Sequence, residues 1–404
     1  MRDDLAATLR SLRDLHAMGL LDDAEYADKL ERLRERFGQP IVDALLRVVA
    51  ASPESRSGAR VEAGGPVAGA GRMPPAGAIR AEPLPASLSA DGEHFSYGYA
   101  LIIGVSEYAH PRLRLPGGAT ATDARALATL LRDPHLAAYP EQQVRLLVDG
   151  KATRNYILDA LEELAHVVDG GTALICFAGR GSATTAGYAL LPFDADPDRL
   201  VETALTAEVF HRRVAKVRER ARRLVVLLNC CHGGGEEAPD GLSTALSGAA
   251  PPPEFYRPLS VSGDQAVISS ARPGQRASSR SAVNPRHTIF GEHLLLALGG
   301  QAPGSGPAIG VFDLYAYLRV AVPADGRSLQ RQEALLQEPL FYTAQPGENL
   351  PVALRPAGGG AGGNTAAVQR LIQLELRLEA ADGEAPPEVL SERDELLAAL
   401  AASL

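Results

Sequence analysis

The sequence predicts an α/β fold, a layered α/β/α sandwich around a largely parallel central sheet, with small helical units at both ends. Three observations predict it. Short, fully apolar runs alternate with amphipathic helical patterns through a middle of about 260 residues, as in parallel-sheet proteins. Stretches dominated by Gly, Pro and Ala set that middle apart from both ends. The chain has 404 residues and is 46% hydrophobic, enough to bury a sizeable core and to hold two or three domains.

At the N-terminus, Leu5, Leu9, Leu12 and Leu15 recur at helical spacing until Gly19. Leu30, Leu33 and Phe37 resume the pattern after the acidic turn Asp22, Asp23 and Glu25, and Gly38 and Pro40 precede IVDALLRVVA. Residues 1–50 are therefore expected to form a small helical interaction module, its core too thin to stand without docking on something; packing only on its own main domain is the alternative. Residues 51–93 lose all periodicity and read as a flexible Pro/Gly/Ala linker. Arg56, Arg60, Arg72 and Arg80 lie in that linker, where exposed chain is open to proteolysis of any kind, cleavage after basic residues included.

The middle follows element by element. YGYALIIGV, VRLLVDG, TALICFAG, RRLVVLLN and QAVISSA are strand-like runs. TDARALATLLRD, beginning near Thr122, ATRNYILDALEELAHVV, opened by Thr153 as N-cap, and TAEVFHRRVAKVRER are helices. RPAGGGAGGN marks a second linker over 356–364, and the apolar-rich pattern from Val368 to Leu378 opens a helical hairpin over 365–404, turned at Gly383, Pro386 and Pro387.

Composition excludes several function classes. With 40 Lys+Arg against 49 Asp+Glu the net charge is -9, which leaves no positive field for nucleic acid. Neither a signal peptide nor a membrane span is expected. Three cysteines, two of them adjacent, form no disulfide framework, and a reducing cytoplasmic location is expected. No cofactor or metal is expected: His, Asp and Glu lack ligand spacing, and the HGGG run has no following Lys-Ser/Thr for phosphate.

In parallel sheets, functional groups sit just past the C-terminal ends of strands. Two turns occupy that place, Gly179-Arg180-Gly181 and the run Asn229 to Gly235 with Cys230, Cys231 and His232. Cys231 follows the most apolar strand and precedes three glycines, which let backbone N–H groups approach a developing oxyanion. Cys176, inside ICFAG, reads as a small buried hydrophobe, and Cys230 continues its strand and faces inward.

On these residues the middle resembles the caspase-like cysteine peptidases, closest to the bacterial caspase-homologue and metacaspase branch. The resemblance covers roughly 94–355 and rests on ALIIGVSEY, LPGGATATDARALATLL, FAGRGS, YALLPFDAD, VVLLNCCHGGG, VISSARPGQRA, HTIFGEHLLLALGG and LFYTAQPGENLPVAL, in that order. It implies Cys231 as the nucleophile, with the backbone N–H groups of Gly181 and Cys231 as oxyanion hole. It also implies a histidine in a Gly-His-Gly turn about 50 residues before the cysteine. That position holds Arg180. Asn229 stands where metacaspase-like members usually place an acidic residue to hold a basic P1 side chain.

A guanidinium, with a pKa above ~12, neither gives nor takes a proton at neutral pH, although it favours a nearby thiolate. The expectation is a catalytically impaired pseudo-peptidase that binds a protein or peptide segment in the cleft, its terminal helical units engaging other proteins in a bacterial signalling or defence assembly. The alternative is an active cysteine endopeptidase using Cys231 with a displaced or partner-supplied base. Among the other histidines His287, in a loop, is the best substitute; His166 and His211 lie in helical patterns, His293 lies in the later HTIFGEHLL segment, and His232 adjoins the cysteine. A third reading makes the domain a passive spacer. Oligomeric state, P1 preference and calcium dependence stay open.

Overall fold

The computed structural model describes Leu30 and residues 95–230, 250–329, 336–345, 347–357, 365–380 and 386–403. Apart from Leu30, the expected module 1–50 and linker 51–93 lie outside the described residues, as does most of the second linker. Chain contacts divide the protein into Met1–Arg80 and Ala81–Leu404; the strands and helices that follow belong to the second unit.

Strands β1 (Gly98–Gly104), β2 (Val144–Val148), β3 (Thr172–Gly179), β4 (Gly181–Thr184), β5 (Gly187–Leu190), β6 (Leu205–Thr206), β7 (Arg223–Cys230), β8 (Gln265–Ser269), β9 (Ala308–Gly310), β10 (Leu340–Tyr342) and β11 (Pro351–Leu354) form three sheets. The central one has six strands in the order β10-β8-β7-β3-β1-β2. Every pairing in it is parallel except β10 against β8. The others are a three-stranded sheet β4-β5-β6 and the pair β11-β9. The longer helices are α1 (Ala119–Arg132), α2 (Arg154–Val167), α3 (Ala207–Arg220), α4 (Ile289–Leu296), α5 (Val311–Ser328), α6 (Thr365–Ala380) and α7 (Pro387–Ser403).

The expected α/β sandwich is the observed fold. β3 and β7 are buried along their whole length, which is why they read as unbroken apolar runs. Their side chains alternate between two cores. Leu174 and Cys176 of β3, with Val225 and Leu227 of β7, join α1, α4 and α5 on one face. Ile175, Phe177, Leu228 and Cys230 join α2 and α3 on the other. By the same alternation Asn229 belongs with Val225 and Leu227, on the α1 and α4 side.

α1 begins at Ala119, three residues before the expected Thr122. Thr153 caps α2 as expected, accepting from the Tyr156 N–H at 3.4 Å. The first helix of the expected C-terminal hairpin packs on the domain: Val368, Leu371 and Ile372 are buried in one core with Phe312 and Tyr315.

β1 and α1 touch at Gly104, where a Cβ would lie 2.4 Å from the Ala124 Cβ and 2.9 Å from the Thr120 backbone oxygen. Gly104→Ala is expected to cost about 1–3 kcal/mol through overpacking, read as a lower urea midpoint with an unchanged slope.

Candidate functional site

The turn after β3 is fastened by its own arginine. The Arg180 N–H donates to the Tyr108 hydroxyl at 2.6 Å, and the Arg180 carbonyl accepts from the Leu191 N–H at 2.9 Å. Its guanidinium reaches back over the loop after β1, Nε donating to the Leu113 carbonyl at 2.6 Å and Nη2 to that of Arg114 at 3.2 Å. That loop is in turn held by Asp149, whose Oδ1 accepts from the N–H groups of Ser106 and Glu107.

The glycines around Arg180 make room for two tyrosine hydroxyls. A Cβ at Gly179 would lie 3.0 Å from the Tyr108 Oη, and one at Gly181 only 1.9 Å from the Tyr188 Oη. The bond from Leu191 to Arg180 makes that pair hydrogen-bonded, so Gly181, opposite Leu190, occupies the next, non-bonded position. Its N–H therefore faces away from β5.

β7 ends beside this turn, with Gly179 opposite Cys230 in the parallel register. Cys230 is buried with Tyr188 on the α2 and α3 side, and burial pushes its thiol up to about 12. Burial, with the nearby Asp123 and Cys230, puts Cys176 at about 12 as well. Asn229 is 2% exposed. Its amide donates to the Thr288 hydroxyl at 2.8 Å and to Asp123 Oδ2 at 3.4 Å.

Asp123, on α1, is the centre of a buried network that the sequence reading missed. Its Oδ2 accepts from the Thr288 hydroxyl at 2.6 Å, and its Oδ1 is 2.7 Å from His287 Nδ1. Thr288 caps α4 by accepting from the Gly291 N–H at 2.9 Å. Burial raises the Asp123 carboxyl above its usual range, against the bonds from His287 and Thr288. Asp123, Cys176, Ala178, Asn229, Phe290 and Leu294 line a narrow cavity beneath the strand ends. The sequence singles out Asn229 and His287, whereas Asp123, which joins them, shows there only as a carboxylate in the α1 pattern among Ala121, Ala124, Leu127 and Ala128, all buried.

The structure thus brings Arg180, Gly181 and Asn229 to one sheet edge. Cys231 and His232 lie outside the described residues. Three of the other histidines weighed above are engaged elsewhere: His293 Nε2 is 3.0 Å from Asp325 Oδ2, His211 Nε2 is 2.9 Å from the Phe255 carbonyl, and His166 Nδ1 is 2.6 Å from that of Glu162. Among the described residues no group of three or more His, Cys, Asp or Glu could hold a metal ion. No helix among them is long and apolar enough to cross a membrane.

The family model of the caspase domain matches residues 97–344. No curated protein matches the chain. Among solved structures, caspase-1 from Spodoptera frugiperda aligns at 15% identity and a TM-score of 0.44, covering 68% of this chain and 98% of that one. The Drosophila initiator caspase Dronc aligns at 9% identity and a TM-score of 0.42, covering 66% of this chain and 86% of that one.

The thiols offer a direct test. Cys176 and Cys230 are buried and poorly ionised at pH 8, and thiols react as thiolates. Cys231→Ala, which keeps only these two thiols, is expected to take up no maleimide rapidly at pH 8. Rapid labelling of Cys176 or Cys230 would contradict the burial described.

Proposed function

The chain belongs to the caspase-domain family, and from that premise we propose that it is a catalytically impaired pseudo-peptidase that acts by binding. A protein or peptide segment would occupy the cleft at the C-terminal ends of β3 and β7. Cys231 would stand at the nucleophile position, and Arg180 where the general acid–base histidine is expected. The N–H groups of Gly181 and Cys231 would form the oxyanion hole, and Asn229 would take the place of an acidic P1 contact.

The observation that carries this reading is the use of Arg180. Its guanidinium donates to the carbonyls of Leu113 and Arg114, a fastening role, and it has no proton to exchange at neutral pH. Amide cleavage needs a group that protonates the leaving amine, and loss of such help costs roughly 10²–10⁴ in rate. The proposed context is a cytoplasmic bacterial signalling or defence assembly, with the terminal segments 1–50 and 365–404 recruiting partners. That context is an analogy with relatives of the resembled branch.

One observation favours a second reading, an active endopeptidase with a displaced base. His287 is held by Asp123 at 2.7 Å through Nδ1, the carboxylate–imidazole arrangement that leaves Nε2 as the proton carrier. The pair is joined to Asn229, two residues before Cys231, by the Asn229–Asp123 bond.

Peptide-library cleavage separates the readings. For the first, native protein is silent and Arg180→His gains cleavage that Cys231→Ala abolishes. For the second, native protein cleaves, and His287→Ala lowers kcat by about 10²–10⁴. Silence of Arg180→His would sink the intact-scaffold form of the first reading.

A further inference from the structure

Behind the sheet edge lies a buried ionic cluster that neither reading uses. The segment Ser270–Ser278 runs on from β8, and its start is tied to β7 by the Ser270 N–H donating to the Leu228 carbonyl at 2.8 Å. Gln337, fully buried, spans this segment. Its amide donates to the Ser270 carbonyl at 3.0 Å and its oxygen accepts from the Ser278 N–H at 2.8 Å. Gln275 Nε2 donates to Glu338 at 3.0 Å, and Gln275 Oε1 accepts from the Glu338 N–H at 2.8 Å.

Arg272, in the same segment, connects it to the C-terminal hairpin. Its Nη2 is 2.7 Å from Glu375 Oε1 on α6 and its Nε 3.7 Å from Glu338. Arg319, on α5, closes the ring, with Nε 2.8 Å from Glu375 and Nη2 2.7 Å from Glu338. The Tyr315 hydroxyl donates to the other oxygen of Glu375. Glu375 is 1% exposed and Arg319 4%. Burial opposes the Glu338 charge, yet Arg319, Gln275 and Arg272 hold its carboxyl below the usual range. The four charges balance, so removing one leaves a buried charge without its partner.

We propose that α6 is the domain's own docking ligand, seated through Glu375 in a site made by Arg272, Arg319 and Tyr315, and that its seating holds the segment 270–278 in place. The seat recognises a carboxylate presented on an amphipathic helix, and the occupant is residues 365–380 of this chain. The sequence GGGAGGN joins the domain to this helix, a composition that leaves docking to the helix itself. When the seat empties, Arg272 loses Glu375, and the segment it anchors beside the end of β7 loosens with it. That the segment flanks the proposed cleft rests on the reading above; the coupling between α6 and 270–278 does not.

Amide hydrogen exchange on the full chain tests this without substrate or catalysis, so its failure is separate from any failure of the functional reading. Two variants reach the seat by different routes: Glu375→Gln removes the charge, and Leu371→Ala an apolar contact of the same helix. In each, exchange is expected to rise about tenfold or more in 365–380 and in 270–278 together, while β3 keeps its protection. Protection kept in 270–278 while α6 loses its own would overturn the coupling. Loss in β3 along with α6 in both variants would also overturn it, because the helix would then be part of the global fold. If Glu375→Gln alone unfolds the domain, Leu371→Ala decides by the same criteria. Unchanged exchange in Glu375→Gln would remove Glu375 as the seating contact.

Discussion

The parallel pairing of β3 with β7, in register from Thr172 opposite Arg223 to Gly179 opposite Cys230, is the constraint on which the rest of the domain depends. Both strands are buried on both faces, so their backbone groups must be satisfied within the sheet, and a slip of one residue would turn each side chain to the wrong core. That register places Arg180 beside the end of β7 and turns Asn229 toward α1 and α4. Cys230 points the opposite way, toward Tyr188, which separates the buried thiol from the network around Asp123.

Around that pair the polar side chains of the edge are committed to holding backbone. Arg180 spends its donors on Leu113 and Arg114, Gln337 on Ser270 and Ser278, and Thr288 on the first turn of α4. Asp123 gathers Thr288, His287 and Asn229, so α1, α4 and β7 meet at one carboxylate. A buried carboxylate is costly unless fully bonded. Here its bonds come from two other elements, β7 and the turn that opens α4, and losing either leaves the carboxylate under-bonded.

What was legible in the sequence follows from the range of the interactions. TALICFAG corresponds to β3 residue for residue because a doubly buried strand reads as a continuous apolar run. The turn bearing Arg180 is legible because glycine flanks it, and the end of β7 at Asn229 and Cys230 because a run of glycines follows. That the glycines beside Arg180 accommodate the hydroxyls of Tyr108 and Tyr188 was not, since those tyrosines come from other elements. Strands of two to four residues, such as β4, β5 and β6, are too short for a period to show. α5 continues through Pro323, a residue that ordinarily argues for a break. The C-terminal hairpin reads as tethered because RPAGGGAGGN precedes it; that Glu375 of its first helix is buried against Arg319, 56 positions away, only the fold reveals.

An arginine in the turn after β3 changes the physical character of the edge as well as its acid–base chemistry. Imidazole in such a turn must remain free enough to receive a proton from one atom and deliver it to another. A guanidinium is a rigid planar fork of donors that never discharges, and in this turn it spans from β3 to the loop after β1. The same fork that rules out proton transfer fixes the spacing between those two segments. With Asp149 holding the other side of that loop, the edge gains a preorganised wall. Preorganisation raises affinity by lowering the entropy lost on binding, whereas turnover by this fold depends on a titrating group. Under the binding reading proposed above, the geometry of Arg180 works in the direction of recognition; under the second reading the proton carrier comes from the pair Asp123 and His287, assembled on the α1 and α4 side of the sheet.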